Sequence, residues 1–325
     1  MALWHRAPKL AAILTIVCAG CLVFGQTAQA VWPGSNGKIV FWKFSGSMQS
    51  PHAQIYSMDS NGLNQTNLSA AGGGADHLDV QPSVSPNGKR IAFTRVELTS
   101  PTTATSQVWT MKMDGSDQTN VSNDSAVASE SNAAWSEDGS RILFVRQAPG
   151  SPPFGGFGSI WVRKANGKGT PQQLTSGPDA NPTMSPDGDL LAFSRIEADG
   201  PHLLVTKADS SGSPRDLGIG AKPDWSPDSK RLAYGQGGFG PIMVVTVSDP
   251  SQKRTLTSPG NEAPAWSPDG TQIVFIHCVG PMACDVAIMT ATGQNQHTIT
   301  NDVSQGMSDQ KPDWQRAKGA GGEEG

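Results

Sequence analysis

Four carboxylates recur at one place in a repeating phrase of this chain. Asp309, Asp79, Glu130 and Asp179 each stand five residues before a tryptophan or the residue in its place, namely Trp314, Val84, Trp135 and Met184. The same position is Gly220 before Trp225 and Asn261 before Trp266. Acids brought together repel, and keeping them charged requires a compensating cation. Asp79, Glu130, Asp179 and Asp309 are therefore candidate ligands for a divalent cation such as calcium, which takes hard oxygen donors. Together with Asn261 they form a candidate binding site for a Lys- or Arg-bearing segment of a partner. With His52, His77, His202 and His277 they could instead do acid–base work on a polymer, as in a lyase or hydrolase. Those histidines are scattered, with no H-x-x-x-H spacing, and read as ordinary surface or strand-end residues. A competing structural role exists for the acids too. An Asp at a turn-to-strand boundary accepts bonds from nearby backbone N–H groups, and repeats copy turns as faithfully as sites.

The elements that must position these residues are written in the same phrase. It reads Val84-Ser85-Pro86-Asn87-Gly88 with Ile91-Ala92-Phe93, Trp135-Ser136-Glu137-Asp138-Gly139 with Ile142-Leu143-Phe144, and Met184-Ser185-Pro186-Asp187-Gly188 with Leu191-Ala192-Phe193. Trp225-Ser226-Pro227-Asp228-Ser229 with Leu232-Ala233-Tyr234 and Trp266-Ser267-Pro268-Asp269-Gly270 with Ile273-Val274-Phe275 complete five copies. Each unit of forty to fifty residues holds four short strand-like pieces punctuated by turn residues, with no long 3.6-residue periodicity. That is the signature of a propeller blade.

The sixth copy is split. Asn36-Gly37 begins at the turn with no first strand before it, and Lys311-Pro312-Asp313-Trp314-Gln315 is a first strand with no partner after it. The expectation is an all-β, six-bladed propeller of four-stranded antiparallel blades, closed by one C-terminal strand joining three N-terminal ones. Closure removes the open sheet edges that invite aggregation. Blade 1 is 311–315 with 37–75, blade 2 is 79–125, blade 3 is 130–176, blade 4 is 179–217, blade 5 is 220–258 and blade 6 is 261–301; a disordered tail, 316–325, follows the propeller of 31–315.

The Ser-Pro-Asp-Gly turn after a Trp, followed by an Ile-Ala-Phe-like strand, resembles the TolB-like propellers, relatives of the WD-repeat propellers. The resemblance covers essentially the whole chain after residue 30. It implies a binding role in the bacterial envelope, although similar blades also form the non-catalytic half of serine peptidases and the body of lyases. The family's type protein places an α/β domain before its propeller. Here the propeller is expected to start directly after residue 30, so that domain's role does not carry over. The G-x-S-x-G elbow of the peptidases does not occur in this chain.

Residues 1–30 read as a secretory leader: Arg6 and Lys9, then apolar Leu10–Val23, then the small-residue site Ala28-Gln29-Ala30. Lipidation at Cys21 ranks second, because Cys18 sits where that signal wants Leu or Val. Lys and Arg total 24 against 28 Asp and Glu, and losing the leader makes the chain two charges more negative. Mild acidity argues against a nucleic-acid partner. After the leader, Cys278 and Cys284 are the cysteines that remain, and export favours a local disulfide. The expected product is an exported monomer, periplasmic or extracellular, that binds another envelope or secreted protein without catalysis.

If first strands line the axis, their entrances open on the same face as the second-to-third connections. That face carries the longest insertions, Phe44–Ala53, Glu97–Ser106 and Gln147–Gly158, and elaborated loops on rigid scaffolds are where sites gather. Gly235–Gly240 matches G-x-G-x-x-G but precedes no helix, so it reads as a loop rather than a dinucleotide cradle. The Asn-x-Ser/Thr matches at Asn64, Asn67, Asn120 and Asn123 read as by-products of the repeat, and Trp135, Trp225, Trp266 and Trp314 as packing between blades.

Overall fold

The computed structural model describes residues 33–47, 50–70, 77–100, 103–122, 129–148 and 156–317. The expected leader, Cys21, Asn123 and the last eight residues lie outside them. Six four-stranded antiparallel sheets follow the chain. The closing sheet runs Ser308–Ala317, Ser35–Ser47, Ser50–Met58 and Thr66–Asn67, so the C-terminal strand does pair with the N-terminal one and shuts the ring. First strands of blades 2 to 6 are His77–Val84, Glu130–Trp135, Asp179–Met184, Ala221–Trp225 and Asn261–Trp266.

The recurrent turn explains its own sequence. Ser136 Oγ accepts from the Arg141 N–H at 3.0 Å, Asp138 accepts from the Ser140 N–H at 2.9 Å, and Gly139 N–H closes back on the Ser136 carbonyl. The same Ser clasp recurs at Ser85, Ser185, Ser226 and Ser267. Hydrogen bonds from Ser136 and Ser140 pull Asp138 down to about 2. The next position takes a left-handed backbone at Gly88, Gly139, Gly188 and Gly270, which is why glycine fills it in all these copies; Ser229 adopts it in the fifth.

The tryptophans seal blades to one another. Trp135 Nε1 donates to the Ser83 carbonyl of blade 2 and Trp225 Nε1 to the Thr183 carbonyl of blade 4. All four of Trp135, Trp225, Trp266 and Trp314 are buried. The insertions of blades 1 and 2 are paired backbone, with ladders running out to Ser47↔Ser50 and Ser100↔Thr103. Ala53, Leu78, Val80 and Val96, with Trp42, Phe44, Leu98 and Ala104 against them, give these two hairpins an apolar core of their own. Polar sequence masked this: the ladder, not side-chain burial alone, holds Ser- and Thr-rich residues in strand. Of the third insertion, residues 149–155 lie outside the described residues.

Candidate functional site

Asp79, Glu130, Asp179, Asp309 and Asn261 all stand at first-strand entrances, and all five are buried. In three blades the acid is held by an arginine sixteen residues later on the neighbouring second strand. Arg95 Nε and Nη2 donate to the two Asp79 oxygens at 2.7 Å each. Arg195 does the same to Asp179 at 2.6 and 2.9 Å, and Arg146 Nε donates to Glu130 at 3.0 Å. In blade 6 the pair becomes Asn261 and His277, 3.0 Å apart. Bidentate pairs of this kind satisfy both charge and hydrogen bonding at once.

Most of the bases are in turn covered by an aromatic ring. Arg95 lies 4.5 Å from the Trp109 ring centre, Arg146 4.6 Å from Trp161, and Lys43 4.9 Å from Tyr56. A basic residue two places after the second-strand aromatic was the available sequence signal: Phe93-Thr94-Arg95, Phe144-Val145-Arg146, Phe193-Ser194-Arg195, Phe41-Trp42-Lys43 and Phe275-Ile276-His277. For Asp79, Glu130 and Asp179 the compensating cation is thus supplied within the blade. Among the described residues, no three Asp, Glu, His or Cys side chains come together as a group able to hold a metal ion.

Blades 1 and 5 depart from the rule. In blade 1, Lys43 sits opposite Asp309 in register, yet its ammonium contacts Asp302 at 2.7 Å and donates to Gln65. Burial pushes Asp309 up to about 8, and the nearby charge of Asp302 adds to it. In blade 5 a Cβ on Gly220 would lie 2.5 Å from the Tyr234 ring, so the ring occupies the place of an acid.

Two residues beyond each entrance the first strand bulges. Gln81, Asn132, Asn181, Lys222, Ala263 and Lys311 all have left-handed backbones, and the ladder slips at each of these bulges. Their side chains form a belt from blade to blade. Gln81 Oε1 accepts from the Asn132 N–H, Asn181 Nδ2 donates to Asn132 Oδ1, Lys222 N–H donates to Ser194 Oγ and Lys222 Nζ pairs with Glu262. Nothing in the repeat phrase announces a left-handed Lys or Gln, so sequence reasoning missed it.

The histidines stay apart. His202 lies between Asp216 and Asp199, whose carboxylates raise its pKa, Asp216 foremost; His77 is 3.7 Å from Asp79; His52 is exposed. The disulfide expected between Cys278 and Cys284 is present and clamps the second-to-third hairpin of blade 6. At its tip Val279 is 72% exposed. Gly260 bridges it to the blade 5 loop, since Cys278 N–H donates to the Gly260 carbonyl and Gly260 N–H to that of Phe239. Ile219, 44% exposed, flanks the same loop beside Gly237. No helix among the described residues is long and apolar enough to cross a membrane.

A family model described as the TolB beta propeller domain matches residues 33–215. TolB from Acinetobacter baumannii superposes with a TM-score of 0.66 at 17% identity, covering 87% of this chain and 68% of that one. The putative TolB from Agrobacterium tumefaciens gives 0.59 at 17% identity, covering 86% and 99%. A chain of the nidogen/laminin complex gives 0.65 at 12% identity, covering 86% and 98%. At these identities the structures share the fold. No curated protein sequence matches the chain.

Proposed function

The chain belongs to the TolB beta propeller domain family, and from that premise we propose that it is an exported, non-catalytic scaffold. It binds another envelope or secreted protein through the face that carries the first-strand entrances and the long hairpins. The observation that carries this reading is an apolar rim across blades 4 to 6. Exposed Val279 on the disulfide-clamped hairpin of blade 6 is tied by backbone bonds through Gly260 to Phe239 in the blade 5 loop, beside which stands exposed Ile219 at the end of blade 4. A stiffened hairpin loses less entropy on recognition than a free loop. At the entrances of blades 2 to 4, Asp79, Glu130 and Asp179 are engaged by arginines. That engagement weighs against a polymer lyase or hydrolase that would need one of them free for acid–base work.

The test is chemical cross-linking of the mature protein to envelope and secreted fractions of the producing cell. The bait is compared with Ile219→Asp/Val279→Asp, two surface changes that leave folding intact. A partner held by the native bait and lost by the variant supports the reading. A partner held equally by both removes the rim from it. Turnover of an envelope or extracellular polymer by the purified protein would replace the binding role with an enzymatic one.

A further inference from the structure

Blade 4 keeps the arginine of the repeat but loses the ring that covers it. Register places Trp109 of blade 2 opposite Phe93, Trp161 of blade 3 opposite Phe144, and Leu204 of blade 4 opposite Phe193. One turn of the ladder further on, Met111 and Arg163 are matched by Thr206. The Gln118 side chain, which accepts from Arg95 in blade 2, is matched by Pro214. Three truncations at one place leave a groove of about 430 Å³ between blades 3 and 4, lined by Leu174, Arg195, Thr206, Ser210 and Pro214. In blades 2 and 3 an indole stands at the equivalent register position, and in blade 1 the Tyr56 ring.

We infer that this groove takes a planar aromatic ring with a hydrogen-bonding edge, the side chain of a Trp or Tyr in a partner segment, stacked on the Arg195 guanidinium. The protein supplies the precedent in itself, with Trp109 at 4.5 Å from Arg95 and Trp161 at 4.6 Å from Arg146. Arg195 is fixed for the purpose by its two bonds to Asp179, and its side chain keeps 22% of its surface exposed. Leu174 offers the apolar wall, as Leu68 does in the cluster against which Trp109 packs. Ser210 lines the same groove; its Oγ is buried as placed and has no hydrogen-bond partner among the described residues, and a turn about χ1 brings it to an indole N–H or a phenol. Stacking of one ring on a partly desolvated cation is a modest attraction, so the ring acts as an anchor within a larger contact. The groove shares no lining residue with the rim formed by Ile219, Phe239, Gly260 and Val279, and the inference does not depend on it.

The experiment is a titration of the full mature protein with N-acetyl-tryptophanamide, followed by NMR at the Arg195 Nε–Hε resonance, with N-acetyl-leucinamide as the apolar control. A saturable shift with the aromatic amide and none with the aliphatic one is expected. Leu204→Trp, which restores the residue of blades 2 and 3, should weaken binding at least about tenfold by filling the groove. Thr206→Met fills it from the other end and serves if the first variant does not fold. Absence of a shift at Arg195, equal response to both amides, or binding retained in a folded filled variant would each overturn the assignment.

Discussion

Lys311 and Asp313, two residues apart on the ring-closing strand, grip the same neighbouring strand with opposite chemistry. Lys311 Nζ donates to the Pro82 carbonyl at 2.7 Å, and Asp313 Oδ2 accepts from the Val84 N–H at 2.7 Å. Both are fully buried, and burial draws them together, Lys311 down to about 7 and Asp313 up to about 7. Blade 5 repeats half the device, with Asp224 accepting from the Trp266 N–H of blade 6.

Ring closure therefore rests on a strand whose loss exposes blade 2 as well as blade 1. A chain ending at Asp309 loses buried Trp314 and both grips, and should be destabilised by more than about 4 kcal/mol. Urea unfolding of the truncated and full mature chains measures it. Equal midpoints would show that the ring does not need its clasp.

Asp309 makes stability fall as pH rises. Its carboxyl titrates near 3.8 in the unfolded chain and about 8 in the fold, so the folded state binds the extra proton between those values. Its contribution is complete below pH 4 and disappears as pH climbs through 8. Asp309→Asn should flatten that slope and be more stable than the native protein at pH 8, by on the order of 2 kcal/mol, while matching it near pH 4. Parallel curves for the two proteins would refute the assignment.

Buried arginine pairs cost most when halved. Asp79→Asn leaves the Arg95 guanidinium buried at 7% exposure without its counter-charge and should lose about 3–5 kcal/mol. Arg95→Met/Asp79→Leu, which removes both charges, should recover most of that. A double-mutant cycle by chemical denaturation reads the difference, and additive single losses would mean the pair is not coupled.

Architecture was legible because turn chemistry is local. Ser136, Asp138 and Gly139 bond to one another within five residues, so their spacing survives in sequence, and the split copy at Gly37 and Trp314 followed from counting. Entrance acids were legible as positions but not as chemistry. Their partners lie sixteen residues away across a ladder, and one half of a pair looks like a free carboxylate. The bulge at Lys222, Ala263 and Lys311 was hidden because tertiary packing around the axis overrides the backbone preference of those residue types. The blade 4 groove became visible only when register aligned Leu204 with Trp109.

Divalent cations bear on the entrance acids directly. With Asp79, Glu130 and Asp179 engaged by arginine, millimolar calcium or a chelator should leave the melting temperature unchanged to within about 1 °C. Differential scanning calorimetry in each condition decides it. A rise of several degrees with calcium, reversed by chelator, would establish a cation site.

The disulfide of blade 6 holds the tip of its hairpin. Cys278 and Cys284 face each other in the ladder, and their bond closes a loop with a sequence separation of 6, short enough that its effect on the unfolded chain is modest, about 2 kcal/mol. Cys278→Ser/Cys284→Ser should therefore lower stability by about that amount without opening the ring. Its larger effect should fall on recognition. Val279 sits between the two cysteines, and a hairpin freed of its clamp must be ordered again on binding. Partner capture should weaken more in this variant than its stability loss accounts for, and mild reductant should do the same to the native protein. Equal capture by oxidised and reduced protein would remove the clamp from the binding surface and leave it a device of stability alone.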